Sequence, residues 1–289
     1  MICPKCLIEN PEDAVRCGCG FDFGLGKTPL YEREQAEQIK TWHSEEPGIV
    51  SQSFGVMLSP ATWLIDKIIP QASIRGVLDF SNALAEWMAD EKDILRDAGV
   101  SDLLELKKRD LRLSDDLADS VHNWAIGIGA GAGGATGAVG LPGIIVDIPT
   151  IITFALRTIH KIGLCYGYRV NTKEEKDFIL AIMAAGSANE MSEKMAALSL
   201  LRSIGVTLAG QTWEGIARRA AVNRFSKEGG IIAVKTLAKQ LGINLTKRKA
   251  LQAIPAIGAV VGASANGWYI KEVGWAARRS FQERWLLDQ

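Results

Sequence analysis

The chain has 289 residues, 47% of them apolar, and its 33 basic and 33 acidic side chains balance. That length suits one large domain or two ordinary ones, and the balance excludes a protein that is basic or acidic throughout. The charge is nevertheless unevenly spread: from Arg218 onward there are thirteen basic and four acidic residues, a net of +9, so the first 217 residues carry −9. A basic C-terminal third fits an anionic lipid surface or nucleic acid, or is simply a solvated helix face.

Met1 is followed at once by Cys3 and Cys6. No basic stretch and no long apolar stretch opens the chain, so no signal peptide is read there, and a cytoplasmic N-terminus with reduced thiols is expected. Cys3-Pro-Lys-Cys6 and Cys17-Gly-Cys19 form two close thiol pairs ten residues apart. Four thiolates so arranged can surround one tetrahedral Zn²⁺, with Gly18 and Gly20 permitting the second knuckle. Fewer than thirty residues build little core, so the metal would supply the folding energy. A closed four-sulfur site leaves no position for catalytic water. Residues 1–24 are therefore expected to be a small zinc ribbon with structural Zn²⁺, a redox dithiol or a disulfide framework being the alternatives for its cysteines, with 25–29 a linker and 30–289 a helical domain.

Gly26-Lys27-Thr28 resembles the end of a phosphate-binding loop, but Phe21 stands where its first glycine belongs and no strand precedes it. Thr28-Pro29 reads as a cap and first-turn proline for the helix LYEREQAEQIKTWH, which Pro47-Gly48 follows. Ser59-Pro60 repeats that start, and Pro70 ends the element. Ile74, Val77, Leu78, Leu84 and Trp87 recur at helical spacing.

Trp124 to Val146 contains no charge and is crowded with glycine. As one straight helix it would be about 34 Å long, enough to cross a bilayer's hydrocarbon. Gly127/Gly131, Gly129/Gly133 and Gly133/Gly137 have the small-xxx-small spacing that lets helices approach closely. Gly129-x-Gly131-x-x-Gly134 spells a dinucleotide fingerprint, but neither the preceding strand nor the following acid is present. Pro142, Pro149 and Pro255 argue against straight spans and for broken or hairpin helices dipping into one leaflet. Asp147 is the only charge between Trp124 and Leu156. Lying just ahead of Ile148-Pro149, it reads as a helix cap, with a functional carboxylate as the alternative. Arg157 lies ten residues on, about 15 Å along a helix, and meets Asp147 only from a folded-back segment. His160 shares the face of Arg157 and reads as an interfacial side chain or, alternatively, a base. Cys165 reads as a small buried hydrophobe.

Thr172-x-x-Glu175 is a capping box opening a helix with Phe178, Ile179, Ile182 and Met183 on one side, and Ser187-x-x-Glu190 offers a second. Trp213, Ile216, Ala217, Ala220 and Phe225 form another stripe, and Gly242 closes the helix after Leu241. Ala250 to Ile270 is a second charge-free run, with Gly258/Gly262 and Ala263/Gly267 at close-contact spacing and Asn266 placed to bond to a facing helix. The two runs read as close-packed helices in contact with the membrane or as the interior of a soluble bundle. Trp124, Tyr166, Tyr168, Trp268, Tyr269 and Trp275 flank the apolar runs, as an interfacial belt or as core. No segment alternates with period two. The expected fold is all-α: a multi-helix bundle with glycine-rich central and C-terminal apolar helices behind the zinc ribbon.

These residues resemble the EcsC protein family over roughly residues 31–287. The resemblance rests on Tyr31-Glu32, Trp42, Glu46-Pro47, Ser59-Pro60, Pro70, Leu141-Pro142-Gly143, Val146-Asp147-Ile148-Pro149, Arg157 and Cys165-Tyr166-Gly167-Tyr168. It continues through Ile254-Pro255-x-x-Gly258-Ala259-x-x-Gly262, Asn266, Ala276-Ala277, Phe281 and Arg284. It implies an all-helical bacterial protein; the namesake is encoded beside an ABC-type transporter, the family's biochemical role is not established, and no catalytic residue is implied. The ribbon is an addition that not all members share.

With no paired carboxylates and no activated nucleophile, the residues favour a non-enzymatic protein on the cytoplasmic face of the bacterial membrane. It would be peripheral or partly inserted, with a cytoplasmic location as the alternative, lipid or a membrane protein as partner, and a homo-oligomer as an open alternative. Two other readings remain: a soluble hydrolase-like enzyme using Asp147 with His160 or Arg157, and a nucleic-acid binder using the ribbon and basic helices.

Overall fold

The structure, a computed structural model, describes residues 3, 6, 8–11, 17–21, 30–47, 91–137, 141–211 and 255–289. Among them lie eight helices: α1 (Leu30–Ser44), α2 (Lys92–Ala98), α3 (Leu103–Lys107), α4 (Leu111–Gly137), α5 (Leu141–Cys165), α6 (Lys173–Ser187), α7 (Met191–Gln211) and α8 (Pro255–Asp288). The fold is all-α, a multi-helix bundle. The helices expected around 59–70, 74–87 and 213–241, and the expected start at Thr28-Pro29, lie outside the described residues.

Local chemistry sets several boundaries. Asp102 caps α3 by accepting the Glu105 N–H at 2.8 Å. Thr172 and Glu175 form the expected capping box on α6. The second expected box does not form. Ser187 is the last residue of α6, and its hydroxyl donates back to the Met183 carbonyl at 2.5 Å. The chain extends at Ala188, and the Glu193 carboxylate accepts the Asn189 N–H at 2.8 Å as α7 begins. Ser187 is still part of α6, and α7 starts only at Met191, so Ser187 does not stand at the N-cap position from which its hydroxyl could accept the first amides of α7.

The apolar runs also divide differently from expectation. Trp124–Val146 is not one straight helix, because α4 ends at Gly137 and α5 begins at Leu141. No described helix is long and apolar enough to cross a membrane. Pro149 does not break its helix either; α5 runs through it to Cys165. An interior proline costs roughly 3 kcal/mol. Beyond it, Ile151, Ile152, Ala155, Leu156, Ile159 and Ile162 are all at most 2% exposed. Burying a side chain of that kind contributes about 1.5–3 kcal/mol, so the packing outweighs the lost hydrogen bond several-fold. Pro255 opens α8, where its missing N–H costs nothing.

Helix α8 is the axis of the bundle, packed against α4 along its length and also touching α1, α5, α6 and α7. It runs antiparallel to α4: Gly267 meets Ala130, Gly274 meets His122, and Gln282 bonds to Asp115. Two glycines permit the closest approaches. A Cβ on Gly274 would lie 2.1 Å from the His122 ring, and one on Gly186 would lie 2.7 Å from the Val273 backbone. Tyr166, Tyr168 and Phe178 all pack on the Phe281 ring at centroid distances of 5.6–6.3 Å. Tyr166, Tyr168 and Tyr269 are thus core residues rather than members of an interfacial belt, and Trp124 alone of the flanking aromatics is largely exposed, at 54%.

Candidate functional site

One face of α4 carries Leu111, Asp115, Ala118, His122 and Ala125, spaced 4-3-4-3 and each at most 3% exposed. That spacing aligns side chains along one stripe of a helix. A carboxylate therefore stands in the core, where it needs partners. Asp115 accepts from the Tyr31 hydroxyl at 2.6 Å, the Tyr166 hydroxyl at 2.5 Å and the Gln282 amide at 2.8 Å. The Arg278 guanidinium lies 3.7 Å from it and 3.2 Å from Asp119. Burial works against the Arg278 charge, but Asp115, Tyr166 and Asp119 outweigh it and raise its pKa above the ordinary value. Burial, reinforced by Asp115, pushes the Tyr166 and Tyr31 hydroxyls well above the usual phenol range, so both stay protonated donors.

The network extends outward through Gln282. Its amide also donates to Gln35 at 3.1 Å, and its oxygen accepts from Arg279 at 2.8 Å. Arg279 further donates to Gln35 at 3.0 Å and Gln38 at 2.7 Å. Three helices, α1, α4 and α8, and the turn that follows α5 are thereby tied at one level. Near the end of α8, Arg284 pairs with Glu175 at 3.4 Å over the Tyr168 ring, and Lys107 pairs with Asp288 at 2.6 Å. Arg278, Arg279 and Arg284 are therefore not a solvated basic face.

Sequence reasoning did not single out Asp115, Gln35, Gln282, Arg278 or Arg279 as a constellation. The available signal was Asp115 and His122 at core positions of the α4 stripe.

The earlier candidates fall elsewhere. Asp147 lies inside α5 rather than at a cap, because the helix starts six residues before it. Arg157 follows in the same unbroken helix, about 15 Å along the axis, and His160 about 20 Å along. No segment folds back within α5, so the helix does not bring these three together as an enzymatic site. The Arg157 guanidinium instead covers the Trp124 indole at 5.2 Å. His160 is buried, 4% exposed, not interfacial; burial and then Lys176 lower its pKa to about 4, so it is neutral. Cys165 is fully buried, its thiol donates to the Lys161 carbonyl, and burial pushes its pKa far up.

Of the close-contact positions read from the sequence, Gly129 and Gly267 lie at the α4–α8 contact, whereas Gly127 and Gly131 do not. A Cβ on Gly129 would meet Ile270 at 2.9 Å and the Asn266 carbonyl at 3.5 Å, whereas among the described residues nothing lies within 4 Å of one on Gly127 or Gly131. Asn266 is buried at this crossing. Gly133 and Gly137 continue α4, and Gly258 and Gly262 lie in the first turns of α8.

At the N-terminus the four thiols converge. Cys3 and Cys19 sulfurs are 3.6 Å apart, those of Cys6 and Cys17 3.4 Å, and all four lie within 4.8 Å of one another. Sulfurs around one tetrahedral metal at about 2.3 Å stand about 3.8 Å apart, so this set could hold a metal ion. Two turns position it: Cys3 N–H donates to Ile8 at 2.9 Å, and Gly20, with φ +85°, donates to the Cys17 carbonyl at 2.8 Å. The Cys19 amide and the neighbouring thiols lower the Cys17 pKa to about 6, favouring the thiolate a metal needs.

A 22% identical protein, "Uncharacterized protein YdbA" of Bacillus subtilis (strain 168), aligns over 271 residues, 89% of this chain and 93% of its own. No solved structure matches. The EcsC protein family matches residues 33–286, a span that leaves out the four-cysteine cluster and takes in all of α4 to α7, and the chain belongs to the EcsC protein family.

Proposed function

We propose that the protein is a non-enzymatic EcsC-type helical scaffold that docks on the cytoplasmic face of the bacterial membrane, accessory to a membrane transport or secretion process. One observation carries this reading. The charge-free half of α4 (124–137), the first half of α5 (141–156, with Asp147 its only charge) and the charge-free start of α8 (255–270) gather at one end of the bundle. Each is about 20–24 Å long, deeper than one leaflet's roughly 15 Å of hydrocarbon and short of two. Trp124 and Ile128, 54% and 44% exposed, stand one turn apart on α4 at the base of that end. Apolar side chains at such a position favour an interfacial seat. The buried Asp115 network at the opposite end keeps the helices in register. The cysteine cluster is read as a zinc ribbon with structural Zn²⁺, because four thiolates in a closed set match that ion best.

Flotation with phosphatidylethanolamine/phosphatidylglycerol vesicles tests the reading. The full chain should float, and Ile128→Glu with Trp124→Ser should lower the bound fraction at least five-fold while circular dichroism stays unchanged. Wild-type protein left wholly at the bottom of the gradient overturns it.

A further inference from the structure

Between α1, the α6–α7 turn and α8 opens a cleft of about 370 Å³. Two of the bundle's buried cations line it: Lys194 is 5% exposed and Arg279 is 8% exposed. Lys194 donates to the backbone carbonyls of Trp42 at 2.5 Å and Glu45 at 2.7 Å. Among the described residues Arg279 donates to the side-chain oxygens of Gln35, Gln38 and Gln282. Each cation also lies against an indole, Lys194 at 5.0 Å from the Trp42 centroid and Arg279 at 5.2 Å from that of Trp275. Among the described residues neither makes an ion pair within 4 Å. Two buried charges whose hydrogen bonds come from neutral groups, with Glu45 and Glu272 acting on Lys194 only at longer range, leave a favourable place for an anionic group. The carboxylates of Glu45 and Glu272 line the same cleft, with the indole faces beside them. Carboxylates with aromatic faces suit an ammonium group.

We infer that the cleft binds a small zwitterion, its acidic group on Arg279 and Lys194 and its ammonium group toward Glu45 and Glu272. A volume near 370 Å³ is at the small end of ligand sites and admits a molecule of roughly ten heavy atoms. A purely anionic ligand would meet the carboxylates of Glu45, Glu46 and Glu272, and a purely cationic one the buried cations together with Lys271. A molecule carrying both charges satisfies both sets. That chemistry belongs equally to an ethanolamine phosphate headgroup and to a free α-amino acid. The inference does not depend on membrane docking, since the site is defined without a bilayer.

The test is isothermal titration of the full chain, without vesicles, with phosphorylethanolamine, L-leucine, inorganic phosphate and ethanolamine. At least one zwitterion should bind ten-fold or more tightly than either single-charge probe. Phosphorylethanolamine as the tighter ligand assigns the source to a headgroup, L-leucine to a free amino acid, and either supports the site. Glu272→Gln, on the cleft wall, should weaken the zwitterion at least five-fold with unchanged thermal melting. Arg279→Lys, which keeps the charge but loses the planar fork, should weaken it as well, with a lower melting temperature because its bonds to Gln35, Gln38 and Gln282 are lost too. Zwitterions that bind no better than phosphate or ethanolamine, or binding indifferent to Glu272→Gln in a folded protein, overturn the inference. Failure here leaves vesicle flotation untouched, so the two readings are separable.

Discussion

Replacing Asp115 by alanine is the sharpest perturbation of this fold. It removes the acceptor for Tyr31, Tyr166 and Gln282 and one of two carboxylates facing Arg278. Hydrogen bonds to a charged group are each worth about 1.5–3 kcal/mol, but they are not additive, and Arg278 keeps Asp119 at 3.2 Å. Removing one partner of a buried ion pair typically costs about 3–5 kcal/mol, which sets the expected loss. For a chain of this size that lowers Tm by on the order of 10 °C. Asp115→Asn keeps the volume and one acceptor oxygen but turns an amide donor toward hydroxyl donors, so about 2 kcal/mol is expected. Urea denaturation of the three proteins measures both values. Amide hydrogen exchange supplies a local check, because Tyr31 is the α1 contact to Asp115 and α1 amides should exchange faster in the alanine variant. Losses below about 0.5 kcal/mol for both variants would refute the view that this network locks the bundle.

Other outcomes follow from single sites. The purified chain should bind one Zn²⁺ through Cys3, Cys6, Cys17 and Cys19, and Cys17→Ser should abolish stoichiometric binding in a metal-release titration. His160 is neutral in the fold, with its pKa lowered to about 4 against 6.5 unfolded. The unfolded chain therefore takes up the proton first. The stability this gives is present above pH 6.5 and is lost as pH falls toward 4, by up to about 3 kcal/mol. His160→Gln should flatten denaturation midpoints measured between pH 7.5 and 5. Gly274→Ala forces a Cβ against His122 and should cost about 1–3 kcal/mol. Gly127→Ala meets no described atom within 4 Å and should be neutral or stabilise by about 0.5–1 kcal/mol in the same melts.

The parts of this fold written in short-range chemistry were legible in the sequence. Thr172 and Glu175 sit three residues apart, so their box could be read directly, and the 3.6-residue period of Phe178, Ile179, Ile182 and Met183 announced a buried face. The cysteine spacing likewise announced four converging thiols. The Asp115 network was not legible, because its partners lie 84, 51 and 167 residues away. A carboxylate in Ser-Asp-Asp-Leu looks solvent-facing until the neighbouring core positions Leu111, Ala118 and Ala125 fix the phase of the helix. Pro149 misled for a related reason. Local backbone chemistry argues for a break there, and only tertiary packing of α5 overrides it. The same override moved the functional reading away from Asp147, whose proposed partners proved to be strung along one continuous helix.

The uneven charge of the sequence acquires a different meaning once the fold is known. The C-terminal excess of +9 suggested a basic surface. Yet Arg278 is spent on Asp115 and Asp119, and Arg284 on Glu175, all three acids coming from the negative part of the chain. Arg279 is buried among glutamines. The asymmetry along the chain is thus in part an instruction for which helices pair, and less of it is left to act at a distance. Docking through the charge-free end should accordingly change less than three-fold between 50 and 300 mM salt, because burial of Trp124 and Ile128 is not screened. A fall of ten-fold or more over that range would mean that basic residues carry the interaction, and the apolar end would then lose its role as the docking element.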